Sequence, residues 1–454
     1  METKTLMKDL TTGSVSKRLM IFAFPLMLSN LLQTVYNMVD MIVVGQFVGH
    51  KGLSGASIGG DILHLLVFVA MGFSNAGQVM ISQYTGAGDK KSISNTIGTM
   101  FTFLLSVAIV LSVCCTIFAR RILDAVNTPA EAYKYAYDYT VTCYVGLFFI
   151  YGYNMVSAIL RGMGNSKQPF IFIAIAAVTN LILDLVFVAV FKWSVFGAAL
   201  ATVIAQALSF VWSLIYLYRR RVEFGFDFKL KSFKPDKQIF SRFLKLGLPM
   251  CLQNAAIMFS MLFVNSFINA YGVVASAVTG IGNKLGSITG VVTNALSTAG
   301  SSMVGQCLGA GKRERIPKIM GFSLLVNSVF ALFLTLATVF FPKAIFGLFN
   351  NDPEVLDMAM IYIPVAVLSY VGWAVRSPFM GLINGSGQTR LNLIVGIMDG
   401  VVGRIGLAML MGLAFRMGIK GFWYGSVIAG YMPFLIGGAY YLSGKWKVQK
   451  LIIH

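Results

Sequence analysis

The feature that most constrains the fold of this chain is a series of apolar segments, each long enough to cross a lipid bilayer. A helix needs about 20 apolar residues to span the hydrocarbon core, and twelve stretches of the sequence reach that length. None of them alternates polar with apolar residues, as a membrane-spanning strand would. The sequence therefore predicts an all-α integral membrane protein, with spans near residues 19–43, 53–81, 93–118, 135–160, 170–191, 196–218, 240–270, 274–304, 319–341, 355–380, 391–415 and 422–442.

The composition fits a membrane protein, although the positive net charge first suggests nucleic acid. Of the 454 residues, 57% are hydrophobic and 12% are charged, whereas soluble domains carry about 25% charged residues. Of the 36 Lys and Arg, 25 lie on the side of the two termini, counting Arg242 and Lys245 at the start of the seventh span, 8 lie on the opposite side and 3 lie inside spans. Because basic loops remain in the cytoplasm, we expect a multi-pass protein of the cell membrane with both termini inside. No nucleic-acid partner is expected.

The chain contains an internal repeat with an offset of 223 or 224 residues. Pro25 in the first span matches Pro249 in the seventh, and residues 83–88 (QYTGAG) match residues 306–311 (QCLGAG). Six spans precede the repeat, so both halves enter the membrane from the same side, and in such parallel repeats the substrate path lies at their interface. The sequence predicts an N-terminal lobe at residues 1–218, a basic cytoplasmic linker at 219–239 and a C-terminal lobe at 240–454. The linker is interpreted as either solvated or in contact with anionic lipid.

Acidic residues inside the spans of the first half are the strongest functional signal. An ionisable side chain at the centre of a membrane helix costs roughly 2.5 to 3.5 kcal/mol, so it normally faces a protein interior or a water-filled cavity. Asp40 lies in residues 24–44 (FPLMLSNLLQTVYNMVDMIVV), and Asp184 follows Asn180 by one helical turn. With Thr202 of the sixth span they could accept a proton or coordinate an alkali cation such as Na⁺ through oxygen atoms. A purely structural Asp40 is the alternative. Further polar residues on the first span that could line a cavity are Gln33, Tyr36 and Asn37.

The second half carries different interior charges. The residues at the positions of Asp40 and Asp184 are apolar or amide, and the charged residues deep inside its spans are Lys284, Arg376, Asp399 and Arg404. Asp399 and Arg404 are five residues apart, about 140° around an α-helix, so a pair within one helix is expected to be poor and partners on other helices are favoured. These charges either compensate one another or gate a substrate. Gln253 and Asn254 in the seventh span are further candidates for a cavity wall.

These residues and repeats together resemble the multidrug and toxic compound extrusion (MATE) family. The resemblance covers both six-helix halves, the basic linker, the QYTGAGD and QCLGAGK segments, and a proline fifteen residues before Asp40. It implies two six-helix bundles in a V shape that rock between outward-open and inward-open states and export organic cations in exchange for H⁺ or Na⁺. No cofactor other than the coupling ion and no enzymatic activity are expected, and a monomer is expected.

The resemblance also assigns individual residues. It implies a cation-coupling site at Asp40, Asn180, Asp184 and Thr202, and a bend of the first helix at Pro25, for which a simple helix start is the alternative. The seventh span lacks the acid found in one branch of the family, which favours the branch related to the DNA-damage-inducible F proteins. The competing function is a flippase of lipid-linked precursors, which would need several cations for its pyrophosphate.

Overall fold

The computed structural model describes residues 7–448 and consists almost entirely of helices. The predicted lobes begin at residue 1 and end at residue 454, so their outermost six residues lie outside the described part. The helices are α1 (Val15–Phe47), α2 (His50–Ala87), α3 (Lys90–Ile117), α4 (Ala119–Ala125), α5 (Ala130–Gly162), α6 (Lys167–Asp184), α7 (Ser194–Arg219), α8 (Arg221–Phe224), α9 (Lys237–Asn269), α10 (Val273–Gly309), α11 (Ile316–Phe340), α12 (Pro342–Gly347), α13 (Pro353–Ser386), α14 (Thr389–Val395), α15 (Gly406–Met409), α16 (Ile419–Ala429), α17 (Met432–Leu442) and α18 (Lys445–Val448).

Ten described helices are long and apolar enough to cross a membrane. The other two predicted spans fall on α10, which is 37 residues long but carries many Gly, Ser, Thr and Asn residues, and on the pair α16 and α17. The last span is divided because Gly430 and Tyr431 interrupt the helix between α16 and α17. The prediction of an all-α membrane protein is confirmed.

The chain divides into two compact units. The first contains Phe24–Gly247 and the residues before Leu10, and the second contains Leu10–Ala23 and the chain from Leu248 onward. The first part of α1 therefore groups with the second unit, and the first part of α9 groups with the first unit. Both changes of unit fall beside a proline in mid-helix, Pro25 in α1 and Pro249 in α9.

Local contacts explain why the short segments join these units. Before α1, the backbone N–H of Leu10 donates to Oε1 of Gln306 at 3.0 Å, and Nζ of Lys312 donates to the hydroxyl of Thr11 at 3.1 Å. At the start of α9, the ring of Phe243 packs against Phe73 of α2 and against Phe103 of α3, each with centroids 5.6 Å apart. The predicted linker residues also belong to the first unit.

Pro25 does not begin a helix. The helix α1 starts at Val15, ten residues earlier, and continues through Pro25 to Phe47. The alternative interpretation of Pro25 as a simple helix start is therefore wrong. Because proline has no N–H, the carbonyl of Ile21 lacks its normal helical donor.

Three π-helical segments interrupt the α-helices of the spans. One, Leu185–Val190, directly follows Asp184, and a second, Gly396–Ile405, contains both Asp399 and Arg404. The third, Leu410–Ala414, lies at the position in the second half that matches the first. Such segments are rare and occur frequently at functional sites, so their positions point to the same residues as the charge pattern.

Candidate functional site

The first unit buries two neighbouring carboxyl groups. Asp184 at the end of α6 is fully buried, and Asp40 on α1 is 9% exposed. The two groups interact electrostatically with each other. Apart from the contact of the two carboxyl groups with each other, neither oxygen of Asp184 has a hydrogen-bond partner within the described chain, and neither does Oδ1 of Asp40. Because a buried anion without partners is strongly unfavourable, these oxygens require a cation or a proton.

The predicted amide and hydroxyl partners are present in the same unit. Asn180 is 2% exposed and lies one turn before Asp184 on α6. Its Nδ2 donates to Oγ1 of Thr202 on α7 at 3.3 Å, and the Thr202 hydroxyl donates to the carbonyl of Ala198 at 3.1 Å. The structure thus links Asn180 to Thr202, while α6 carries Asn180 and Asp184 on one face.

Tyr36 joins the first span to this cluster. Its phenol interacts with Asp40, with Gln33 on its own helix and with Gln206 on α7. The Gln206 side chain is 8% exposed, and its Oε1 has no hydrogen-bond partner in the described chain. Asn37 and Gln33 are exposed. Gln206 was not predicted from the sequence, although its position one helical turn after Thr202 is a signal that could have indicated it.

Two residues of α5 complete the surroundings of the carboxyl groups. The phenol of Tyr139 interacts with Asp40, Asp184 and Tyr36, and the thiol of Cys143 interacts with Asp40. Tyr139 and Cys143 are one helical turn apart and both are buried. Neither residue was predicted from the sequence, because aromatic and thiol groups in an apolar span are usual packing residues.

A glycine on α2 permits the close approach of α5 to this cluster. A Cβ atom at Gly59 would lie 2.7 Å from Cδ1 of Tyr139 and 2.9 Å from Oγ1 of Thr140. Small residues at membrane helix contacts allow backbones to approach closely. Gly59 is therefore part of the support that holds Tyr139 beside the carboxyl groups.

Three of the four interior charges of the second unit form a triad. Asp399 is fully buried and its Oδ1 is 3.0 Å from Nη2 of Arg404, while its Oδ2 is 3.4 Å from Nη2 of Arg376 on α13. The Arg376 guanidinium also lies over the ring of Trp373, 4.9 Å from its centroid. Two largely buried guanidinium groups thus share one fully buried carboxylate.

The expectation that Asp399 and Arg404 would pair poorly is wrong. It assumed an α-helix, whereas these residues lie in the π-helical segment Gly396–Ile405. In a π-helix the backbone bonds join residues five apart, so residues 399 and 404 occupy neighbouring positions on one face. The expected partner on another helix is also present, because Arg376 belongs to α13.

The repeat relates this triad to the first unit. Nη1 of Arg404 donates to Oγ of Ser426 at 3.2 Å, and both residues lie 224 positions after Asn180 and Thr202. The amide–hydroxyl bond of the first unit is therefore replaced by a guanidinium–hydroxyl bond in the second.

The remaining candidates of the second unit lie apart from the triad contacts. Lys284 on α10 is exposed and forms no ion pair among the residues that the structure describes. Gln253 is buried and its Nε2 lies 3.9 Å from Sδ of Met380, whereas Asn254 is half-buried. Residues 7–448 contain no group of three or more His, Cys, Asp or Glu that could hold a metal ion. A Na⁺ ion would therefore need amide and hydroxyl oxygens in addition to the two carboxylates.

Comparison with known proteins identifies the family. The MatE family profile matches residues 25–186 and again residues 249–410, so the two matches reproduce the internal offset of 224 residues. The probable multidrug resistance protein YpnP of Bacillus subtilis is 28% identical over 98% of both chains. The probable multidrug resistance protein NorM of Thermotoga maritima is 22% identical over 96% of this chain and 94% of its own.

Solved structures show the same fold. An outward-facing multidrug resistance MATE family transporter superposes with a TM-score of 0.90 at 21% identity, covering 99% of each chain. The family profile matches most of the chain, and the relatives named above are multidrug resistance proteins. The chain belongs to the MatE family and is a membrane transporter.

Proposed function

We propose that this protein exports small organic cations in exchange for H⁺ or Na⁺, with the exchange confined to the first unit. The coupling site consists of Asp40, Asn180, Asp184 and Thr202. Relatives with the name multidrug resistance protein support the class of substrate. We place the transporter in the cell membrane with both termini in the cytoplasm.

The observation that carries the proposal is the pair of buried carboxyl groups without hydrogen-bond partners outside the pair. Three of their four oxygens are buried and unpaired in the described chain. A proton shared by the two carboxyl groups would be bound by one and hydrogen-bonded to the other, and it would neutralise half of the negative charge. A Na⁺ ion would be held by oxygens of the carboxylates and of Asn180 or Thr202. Either ion is exchangeable because no side-chain cation is among the partners of Asp40 and Asp184.

The second unit does not need such an ion. Arg404 takes the place of Asn180 in the repeat, and its guanidinium is permanently charged. It pairs with Asp399 and donates to Ser426, so a tethered cation stands where the first unit leaves room for an exchangeable one. The same triad holds two of the cations that a flippase of lipid-linked precursors would need for its substrate.

Pro25 provides the proposed hinge of the transport cycle. It lies inside α1, beside the point where the helix passes from one compact unit to the other. The missing hydrogen bond to the carbonyl of Ile21 lowers the resistance of the helix to bending. Asp40 is fifteen residues later, about 22 Å along an ideal helix, so ion binding would act on the hinge through the packing of the helix.

The test is coupled transport in proteoliposomes. Asp40→Asn and Asp184→Asn should each abolish efflux of a dye cation driven by an H⁺ or Na⁺ gradient, because an amide cannot take up the proton and brings no negative charge to balance a bound cation. The double variant should be no worse than the more severe single variant, because the residues act on one shared ion. The control is Asp61→Asn on α2, which removes an exposed acid and should leave efflux unchanged.

Two results would overturn the proposal. The first is efflux by Asp40→Asn at the wild-type rate with an intact requirement for the gradient. The second is transport of a labelled lipid-linked precursor, with no transport of the dye cation, by the wild-type protein in the same vesicles.

A further inference from the structure

The basic linker after α7 is an ordered element of the first unit. Three of its aromatic rings surround Phe101 of α3, with centroid distances of 6.3 Å for Phe226, 6.2 Å for Phe228 and 5.7 Å for Phe233. Phe226 is fully buried, and the hydroxyl of Thr102 on α3 donates to the carbonyl of Phe233. We call these three linker phenylalanines with Phe101 the aromatic cage. It fixes the linker against α3.

We infer the depth of the linker in the membrane from its contact with α3. The helix α3 ends at Ile117 on the far side, and a hydrocarbon core of about 30 Å takes up about 20 residues of helix. The near boundary of the core therefore falls close to Gly98. A Cβ atom at Gly98 would lie 2.0 Å from the carbonyl oxygen of Ser232, so the linker backbone touches α3 at this level.

The surface that the aromatic cage leaves exposed combines apolar and basic side chains. Leu230 is 92% exposed and lies between two exposed lysines, Lys229 and Lys231. Val222 on α8 is 82% exposed and follows a run of three arginines. An apolar tip flanked by cations is typical of segments that lie in the membrane interface. We call the exposed side of residues 219–234, which carries Val222, Lys229, Leu230 and Lys231, the linker face.

The acidic residues of the linker do not cancel this charge. The segment 219–237 contains seven Lys and Arg and three acids. Asp227 accepts hydrogen bonds from the Ser232 hydroxyl and the Lys229 backbone N–H, which hold the pKa of its carboxyl group below the ordinary value. Its Oδ2 lies 3.8 Å from Nζ of Lys229, so Asp227 is the acidic partner of that lysine. Lys231 and Lys234 have no acidic partner among the described residues.

We propose that the linker face binds the headgroups of anionic phospholipids in the leaflet that faces the cytoplasm. Leu230 enters the apolar boundary of the leaflet, and the flanking lysines contact the phosphate groups. A juxtamembrane cation near an anionic membrane contributes about a fivefold preference at low salt, and this preference falls as salt screens it. A free polyanion such as nucleic acid would bind the lysines but would leave the exposed Leu230 side chain in water.

The proposal can be tested with a fluorescent reporter in the full-length protein. Leu230→Trp places the reporter on a side chain that makes few protein contacts, so the variant should fold normally. In lipid nanodiscs, the difference spectrum against the parent should show quenching by brominated phosphatidylglycerol. Quenching by brominated phosphatidylcholine should be several-fold weaker at the same mole fraction.

Charge variants separate lipid binding from mere proximity. Adding Lys231→Gln and Lys234→Gln, which removes the two lysines without an acidic partner, should abolish most of the several-fold preference for phosphatidylglycerol at low salt. The matched control is Lys343→Gln with Lys420→Gln, two exposed lysines on the predicted outer side, which should leave the preference unchanged. Expression and dye efflux of each variant report on folding independently.

Three outcomes would overturn the proposal. The reporter could be quenched by neither lipid, which would place the linker face in water. Quenching could be equal with both lipids and unaffected by the lysine variants. Inorganic phosphate at millimolar concentration could abolish the preference in nanodiscs of phosphatidylcholine with phosphatidylglycerol, which would assign the lysines to a soluble anion.

Discussion

Asp399 is expected to be the most sensitive charged residue of the second unit for stability. Its carboxylate is fully buried and shared by Arg404 at 3.0 Å and Arg376 at 3.4 Å. Asp399→Asn would leave two guanidinium groups without an anion, whereas Arg404→Gln would leave Asp399 with Arg376 as its partner. We therefore expect Asp399→Asn to be clearly more destabilising than Arg404→Gln.

The magnitudes follow from the burial of the three groups. Removing one partner of a buried ion pair costs about 3–5 kcal/mol, and the loss of a carboxylate that serves two cations belongs at the upper end of that range. Arg404→Gln removes one charged hydrogen bond and keeps a neutral pair, for a cost of about 1–3 kcal/mol. At about 2–4 °C per kcal/mol for a unit of this size, the shifts in Tm are roughly 15 °C and roughly 5 °C.

The assay is thermal unfolding of the purified protein in detergent, with the heating rate held fixed because irreversible unfolding depends on it. The control is Arg390→Gln, an exposed arginine at the start of α14, which should shift Tm little. An apolar triple replacement, Asp399→Leu with Arg376→Met and Arg404→Met, should recover most of the stability lost in Asp399→Asn. Equal losses for Asp399→Asn and Arg404→Gln would refute the shared-carboxylate arrangement.

Three other changes test the helix contact beside the proposed site, the hinge in α1 and the N-terminal cap of α3. Gly59→Ala should lower the unfolding free energy by about 1–3 kcal/mol and slow dye efflux, because the added Cβ would meet Tyr139. The control is Gly60→Ala, whose added Cβ would have no atom within 4 Å. An equal effect of the two changes would exclude the contact with Tyr139 as the cause. Pro25→Ala should reduce efflux while ²²Na⁺ binding or proton release at the carboxyl groups is unchanged; unaltered efflux would exclude the hinge. Asp89→Ala should destabilise the protein by about 1 kcal/mol at neutral pH, because its carboxylate caps α3. Hydrogen bonds hold the pKa of Asp89 below its ordinary value. The loss of unfolding free energy in Asp89→Ala relative to wild type should therefore be present above the ordinary pKa and disappear as the pH falls through the pKa of the folded protein. A loss that persists in acid would contradict this cause.

Much of the architecture was predictable because a bilayer imposes length and composition on each span. The repeat was visible from residues such as Pro25 and Pro249, and the family profile matches the chain twice with the same offset. The acids of the first unit were found for a similar reason, since a charged residue in an apolar span is rare unless it has a function. The assignment of Asp40 and Asp184 to ion coupling remains a prediction.

The sequence alone determined that this chain is helical, crosses the membrane many times and repeats itself, because these properties follow from local composition and period. Tertiary structure decided which side chains meet. The π-helical turn that brings Arg404 onto Asp399 and the glycine that admits Tyr139 to the carboxyl groups both depend on helix geometry and on contacts between distant segments. No apolar pattern encodes them, because hydropathy specifies how deeply a residue is buried and not which neighbours it has.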